Sequence, residues 1–386
     1  MVNLLLTLIL FTKLTTAIIT ENLSDKILSL QTLESIGSYD LYIRIGDISK
    51  WKIVELNMQI PFMYLSVHNL QTQDPTINII QSGVPITVRN ENFESQLVTA
   101  KITFKTTNTE IYSFPLYYKG KNYSEEFDSF PLAKSFHNKT FSFIHQLKQL
   151  NIIDKACFMH EYNLEKGNGY LHLGGVPLHI QSNYTNSLYL KQDKYNNKLT
   201  WGGDIQSVVF GKKRFMINNY AYFTFNENNI YVNKTIMEKV FIKGIFKEYI
   251  EKMICCVIGN SLYRFIQCKS EEIKKMPKIE IVIDDVRFSF QMNELFDDSN
   301  LNVQNRNFMI VDNARHQDII ILGNVFLWKY IAMFDYDENM IVFLSNEVEN
   351  DNGSENSIIK AVFQINMIML IGAYFMLRWK MKLKEF

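Results

Sequence analysis

Short segments in which apolar and polar residues alternate, or β-branched residues cluster, recur along almost the whole chain and restrict it to a fold made of strands. They fall at 41–45, 52–56, 76–80, 101–105, 170–173, 207–210, 278–283 and 340–344. Turn chemistry separates them, as at Gly167-Asn168-Gly169 and Asp284-Asp285. A side-chain period of two bounded by Gly, Asn and Asp is the signature of half-buried strands. Two segments follow a helical period instead. In 138–150, Phe141, Ile144, Leu147 and Leu150 share a face, and 236–254 carries Val240, Phe246 and Ile250. The expected class is all-β with a few short helices.

With 386 residues, 47% of them hydrophobic and 13% aromatic, the chain can bury a large core. Its 40 basic and 40 acidic residues balance, so no charge excess calls for nucleic acid. The seven His residues show no tight ligand spacing, and His172 and His179 read as a strand and a turn residue. Neither a Gly-x-Ser-x-Gly elbow nor a phosphate loop is present. No metal or cofactor is expected, and no repeat of 20 to 50 residues is visible.

The two ends suggest a membrane system. Apolar residues 4–11 followed by Thr15-Thr16-Ala17 read as a signal peptide over 1–17. Residues 361–377 are almost uninterruptedly apolar, and a helix over 358–377 would extend about 30 Å, the thickness of a bilayer core. Arg378, Lys380, Lys382 and Lys384 follow. The positive-inside bias then places tail 378–386 in the cytosol, with a stalk at 346–357 and the large domain in the lumen of the secretory pathway or at the cell surface. The expected topology is single-pass, type I. Sequons at Asn22, Asn122, Asn138, Asn183, Asn233 and Asn352 agree with luminal exposure, and all but Asn233 are glycosylation candidates.

Several blocks carry a family resemblance. Ile43-Arg44-Ile45-Gly46 precedes Leu56-Asn57-Met58-Gln59-Ile60, and an aromatic, Tyr64, follows. Phe127-Asp128-Ser129-Phe130-Pro131-Leu132-Ala133, Gly169-Tyr170-Leu171-His172-Leu173-Gly174-Gly175, Trp201 before Ile205-Gln206-Ser207, and Met276-Pro277-Lys278-Ile279 come next. The strongest is Ile321-Leu322-Gly323-Asn324-Val325-Phe326-Leu327-Trp328-Lys329-Tyr330, then Phe334-Asp335. In this order they resemble the pepsin-like aspartic peptidases (peptidase family A1) over about 39–344. The resemblance implies a bilobal acid-protease fold with an N-terminal lobe over 18–182, a C-terminal lobe over 183–345 and a cleft between them. Only 16 glycines are present, few for a family whose loops use glycine in tight turns.

The same resemblance shows what is missing. The first catalytic Asp corresponds to Asn57, and the second is matched to Asn233 in Asn229-Ile230-Tyr231-Val232-Asn233-Lys234-Thr235-Ile236. The Thr after each Asp becomes Met58 or Lys234, and the Gly after that becomes Gln59 or Thr235. A flap is expected within 86–100, where Phe93 would cover the cleft. Together Met58, Tyr64, Phe93, Lys234 and Thr235 are the expected cleft and flap residues. Hydrolysis in this family uses two carboxylates sharing a proton, which amides cannot replace. Cys268 resembles a family cysteine that forms a bridge in the C-terminal lobe, leaving Cys255 or Cys256 as its partner; Cys256–Cys268 is the pairing carried forward. Cys157, in an apolar run, reads as a buried free thiol.

The expectation is a membrane-anchored, catalytically inactive pepsin-like homologue that binds a polypeptide in its cleft or a protein on its luminal surface. Its rival is an active aspartic-type endopeptidase with an unorthodox dyad, for which Glu55, two residues before Asn57, and Glu227, six residues before Asn233, are the candidate displaced carboxylates. A structural surface protein is the third reading.

Overall fold

The computed structural model describes residues 26–34, 39–45, 51–58, 64–65, 78–88, 91–105, 107, 110–119, 129–133, 142–163, 168–181, 186–191, 200–260, 263–297, 304–313 and 319–345. The expected signal peptide, stalk, spanning segment and tail lie outside them, as do Asn22, Asn122, Asn138, Asn183 and Asn352.

Among the described residues the strands form two sheets, of 13 and 10 strands. A platform at one end of the larger sheet joins the halves of the chain. It consists of β1 (Leu28–Glu34), β9 (Cys157–Asn163), β10 (Asn168–Leu173), β11 (Asn186–Lys191), β22 (Ile331–Asp335) and β23 (Met340–Ser345). The sheet continues into the N-terminal lobe through β2 (Tyr39–Ile45), β3 (Lys52–Asn57), β4 (Tyr64–Leu65), β5 (Asn78–Val88), β6 (Glu91–Phe104), β7 (Glu110–Lys119) and β8 (Ser129–Pro131). The smaller sheet is the C-terminal lobe, with β12 (Gly202–Phe210), β13 (Lys213–Phe223), β14 (Ile230–Val232), β15 (Cys255–Gly259) and β16 (Tyr263–Lys269). Its remaining strands are β17 (Ile279–Ile283), β18 (Val286–Phe290), β19 (Asn305–Asn307), β20 (Ile310–Asn313) and β21 (Ile320–Leu322).

Every segment with strand periodicity overlaps a strand. In β2 burial alternates strictly, with Tyr39, Leu41, Ile43 and Ile45 in the core. Asp284 and Asp285 form the two-residue turn between β17 and β18 with φ of 45° and 66°, the left-handed geometry that matches the twist of a tight hairpin. Of the first expected helix, 138–141 lie outside the described residues, and Phe143–Gln149 is helical and buries Phe143, Ile144 and Leu147. Leu150 lies beyond its end, exposed. The second divides into Lys234–Ile236, a π-helical run Met237–Ile245 and Lys247–Glu251.

Aromatic side chains lock the platform to both lobes. Phe158 of β9 stacks on Phe334 of β22 at 4.7 Å, and Trp201 Nε1 donates to the Leu132 carbonyl at 3.0 Å. Tyr162 stacks on Trp328, whose Nε1 donates to the Tyr39 hydroxyl at 2.7 Å. His160 sits among Tyr39, Tyr162 and Phe225, with Nε2 2.9 Å from Thr32 Oγ1. Burial holds the imidazole neutral, at about 3, with His172 adding to the shift.

Two expectations are corrected here. Cys268 bridges Cys255, not Cys256. Cys255 lies opposite Cys268 in the β15–β16 register and faces the core, whereas strand alternation turns Cys256 out to solvent. Among the described residues no helix is long and apolar enough to cross a membrane. Segment 358–377 lies outside them, so the single-pass anchor and the luminal and cytosolic placement built on it are withdrawn. Cys157 is a buried free thiol, as expected, and its burial pushes it up to about 12.

Candidate active site

Each lobe ends one strand beside a short strand that runs parallel to it. In the N-terminal lobe β3 pairs with β8, with Leu56 opposite Phe130 and Asn57 opposite Pro131. In the C-terminal lobe β13 pairs with β21, with Phe223 opposite Leu322. The Thr224 N–H then donates to the Leu322 carbonyl at 3.1 Å. The residue corresponding by topology to Asn57 is therefore Thr224.

This moves the second half of the expected pair. Asn233 lies beyond β14, where its Oδ1 accepts the Ile236 N–H at 2.8 Å and caps a helix. Lys234 and Thr235 are exposed in that helix's first turn. Met58 is not a cleft residue: it is fully buried in the hydrophobic core, where an apolar chain replaces the small hydroxyl of the family pattern. Tyr64 pairs through its backbone with Tyr117 and Ser129. Phe93 stands opposite Ile86 in the long β5–β6 hairpin, which places the expected flap on a hairpin.

Glu55 is what the two lobes bring together. Val54 and Leu56 alternate into the core, so Glu55 and Asn57 share the opposite face of β3, half-buried and buried respectively. Asn226 Nδ2, from the C-terminal lobe, donates to Glu55 Oε1. Asn226 is itself fixed: Thr224 Oγ1 donates to its Oδ1 at 3.1 Å and accepts from its backbone N–H at 3.1 Å. Ser129, in register with Glu55 on β8, has a buried Oγ with no partner among the described residues. The sequence reading considered Glu55 and missed Thr224, Asn226 and Ser129. The polar cluster 224–229 between two apolar strands was the available signal for the first two.

A second layer holds the 224–229 loop. Asn324 is buried; its Nδ2 donates to the Phe225 carbonyl at 3.2 Å and to Asn228 Oδ1 at 3.0 Å. Its backbone N–H donates to the Glu227 carbonyl at 2.7 Å. An amide can donate to a carbonyl and an ionised carboxylate cannot, so Asn324, where the resembled family block carries Asp, suits the buried Phe225 carbonyl. Gly323 admits the loop: a Cβ there would collide with the carbonyl oxygens of Glu227 and Asn229. Beside this loop a cavity of about 680 Å³ is lined by Asn228, Asn229, Phe265, Met309, Val325 and Trp328, among others. Glu55, Asn57, Thr224 and Asn226 are outside its lining, so it adjoins the junction without containing it.

Among the described residues no group of three or more His, Cys, Asp or Glu side chains is placed to hold a metal ion. The arrangement offers one carboxylate able to take a proton from water and amides able to donate to a carbonyl oxygen. The membrane-anchored part of the expectation is thus corrected. No spanning helix is present among the described residues, and a carboxylate stands where the lobes meet.

A family model for eukaryotic aspartyl protease matches residues 128–345. An aspartic proteinase from Irpex lacteus superposes with a TM-score of 0.64 at 12% identity, covering 83% of this chain and 98% of that one. At that identity the likeness shows the fold alone. No curated protein matches the chain.

Proposed function

We propose, from the premise that this chain belongs to the eukaryotic aspartyl protease family, that it is an aspartic-type endopeptidase with an unorthodox centre. Asn57 replaces one catalytic acid, Thr224 stands at the other position, and Glu55 is the working carboxylate. The observation that carries this reading is the contact of Glu55 with Asn226 across the junction of the lobes.

In this scheme an extended polypeptide lies between the lobes, held by backbone hydrogen bonds that need no catalytic acid. Glu55 takes a proton from water, and the resulting hydroxide attacks the peptide carbonyl carbon. Amide N–H groups of Asn57 and Asn226 donate to the oxygen as it gains charge. Glu55 then returns the proton to the leaving nitrogen as the carbon–nitrogen bond breaks. One carboxylate must act as base and acid in turn, so turnover is slower than with a pair sharing a proton.

Cleavage of a denatured protein between about pH 3 and 7 tests the reading. Turnover should disappear in Glu55→Gln, fall about a hundredfold in Asn57→Ala, which removes one donor to the developing oxyanion, and be unchanged in Asn233→Ala. A folded wild type that binds peptides without cutting them, or turnover untouched by Glu55→Gln, contradicts it.

A further inference from the structure

The outer edge of the C-terminal sheet is formed by β15, which has a neighbour only on its β16 side among the described residues. The direction of its backbone groups follows from two hydrogen bonds. Lys269 N–H donates to the Ile254 carbonyl at 3.0 Å, and Asn260 N–H donates to the Tyr263 carbonyl at 2.9 Å. Even-numbered residues therefore turn their backbone groups toward β16, and Cys255, Val257 and Gly259 turn theirs outward.

Among the described residues this edge lacks the usual protection. Natural edge strands carry Lys, Pro, a bulge or a covering element that discourages pairing with another chain. Met253-Ile254-Cys255-Cys256-Val257-Ile258-Gly259 contains no charge and no proline. Val257 is 37% and Ile258 39% exposed, and Cys256 beside them is an exposed free thiol. Positive φ at Met253 (54°) and Gly259 (120°) bounds the straight segment and limits the registers open to a partner.

We infer that β15 is a homodimer interface, on which a second copy of this chain pairs antiparallel about a two-fold axis through Cys256. In that register Cys255 pairs with Val257 of the second copy and Val257 with Cys255 of the second copy, each pair exchanging two backbone hydrogen bonds. Cys256 turns its backbone inward, so the two Cys256 residues meet at a non-hydrogen-bonded position. There Cα atoms sit about 4.5 Å apart, within the span a disulfide bridges. Cys255 and Cys268 already form a bridge between directly opposed residues of this hairpin. Ile258 then packs on Ile254 of the second copy, both on the face of Cys256. A second copy fits better than an unrelated strand because only a two-fold axis brings identical thiols together. It also consumes both open edges and closes the assembly. The bond forms by exchange: two Cys256 thiols and one small-molecule disulfide give the Cys256–Cys256 bridge and two released thiols. The interface does not depend on the proposed catalytic centre.

The test treats the purified full chain with oxidised glutathione and follows it by non-reducing electrophoresis, peptide mapping and amide hydrogen exchange. The wild type should give a covalent dimer linked Cys256 to Cys256, with slowed exchange at Cys255, Val257 and Gly259. Cys256→Ser should remain monomeric on the gel. Ile258→Lys, which leaves the thiol in place but charges the edge, should cut dimer yield tenfold or more; both altered side chains are exposed, and thermal unfolding verifies that the variants fold. Cys256 captured only as its glutathione adduct overturns the inference. So does a dimer that forms equally in Ile258→Lys with those amides unprotected.

Discussion

The two lobes use one device in different chemistries. In each, a strand end lies parallel to a short returning strand, β3 beside β8 and β13 beside β21. The C-terminal version is a scaffold. Gly323 admits the neighbouring loop, Asn324 holds it by side chain and backbone, and Thr224 locks Asn226 in place. The N-terminal version has Pro131 at the end of its returning strand, a core Met58 and a half-buried Glu55 with no counterpart in the other lobe. The family match over 128–345 covers the C-terminal lobe and only the end of the N-terminal one. The matched half leaves out Glu55 and Asn57 and supplies the amide, Asn226, that contacts Glu55.

Substitution of the two returning strands breaks this comparison most sharply. Gly323→Ala forces a Cβ against two backbone carbonyls that have no side-chain freedom to yield, and should cost about 3 kcal/mol or more, enough to prevent folding of a marginal domain. Pro131→Ala, at the matching place, should change stability by less than about 1 kcal/mol. Denaturant unfolding of both variants reads the difference, and equal losses would erase the distinction between scaffold and variable lobe.

A smaller effect is expected from restoring the acid in the scaffold. Asn324→Asp puts a buried carboxylate against the Phe225 carbonyl and removes two donated hydrogen bonds, so unfolding free energy at neutral pH should fall by about 2 kcal/mol. The loss should shrink as acid protonates the new carboxyl. An Asp variant as stable as wild type at pH 7 would mean that Asn324 does not hold the loop through its amide.

The platform sets a milder, pH-dependent limit. The folded-state value of His160, about 3, is below its ordinary 6.5, so the unfolded chain binds the proton more readily. Its contribution is complete above about 6.5 and is lost as pH falls toward 3, with a slope of up to one proton in that window. His160→Gln should flatten the slope, as measured by thermal unfolding across pH 3 to 7. An unchanged slope would assign it to other groups.

The fold was legible in sequence because strand periodicity is local: β2, β17 and their turns follow from residues within a few positions of one another. The site was only half legible. Asn57 and Glu55 sit in a recognisable segment, but Asn226 meets Glu55 only through tertiary approach of the lobes. The acid-to-amide match drew attention to Asn233, which lies one strand too far along and has the ordinary chemistry of a helix cap. Adjacent Cys255 and Cys256 differ only by the face of β15 they occupy, which depends on pairing with β16.

The most direct measurement of the central claim is the pH dependence of kcat/KM for peptide cleavage, in wild type and Glu55→Gln. The account predicts a rise with pH governed by the single ionisation of Glu55, no second carboxyl limb on the acid side, and loss of activity in Glu55→Gln. A bell bounded by two acid ionisations, or a profile that survives Glu55→Gln unchanged, would contradict it.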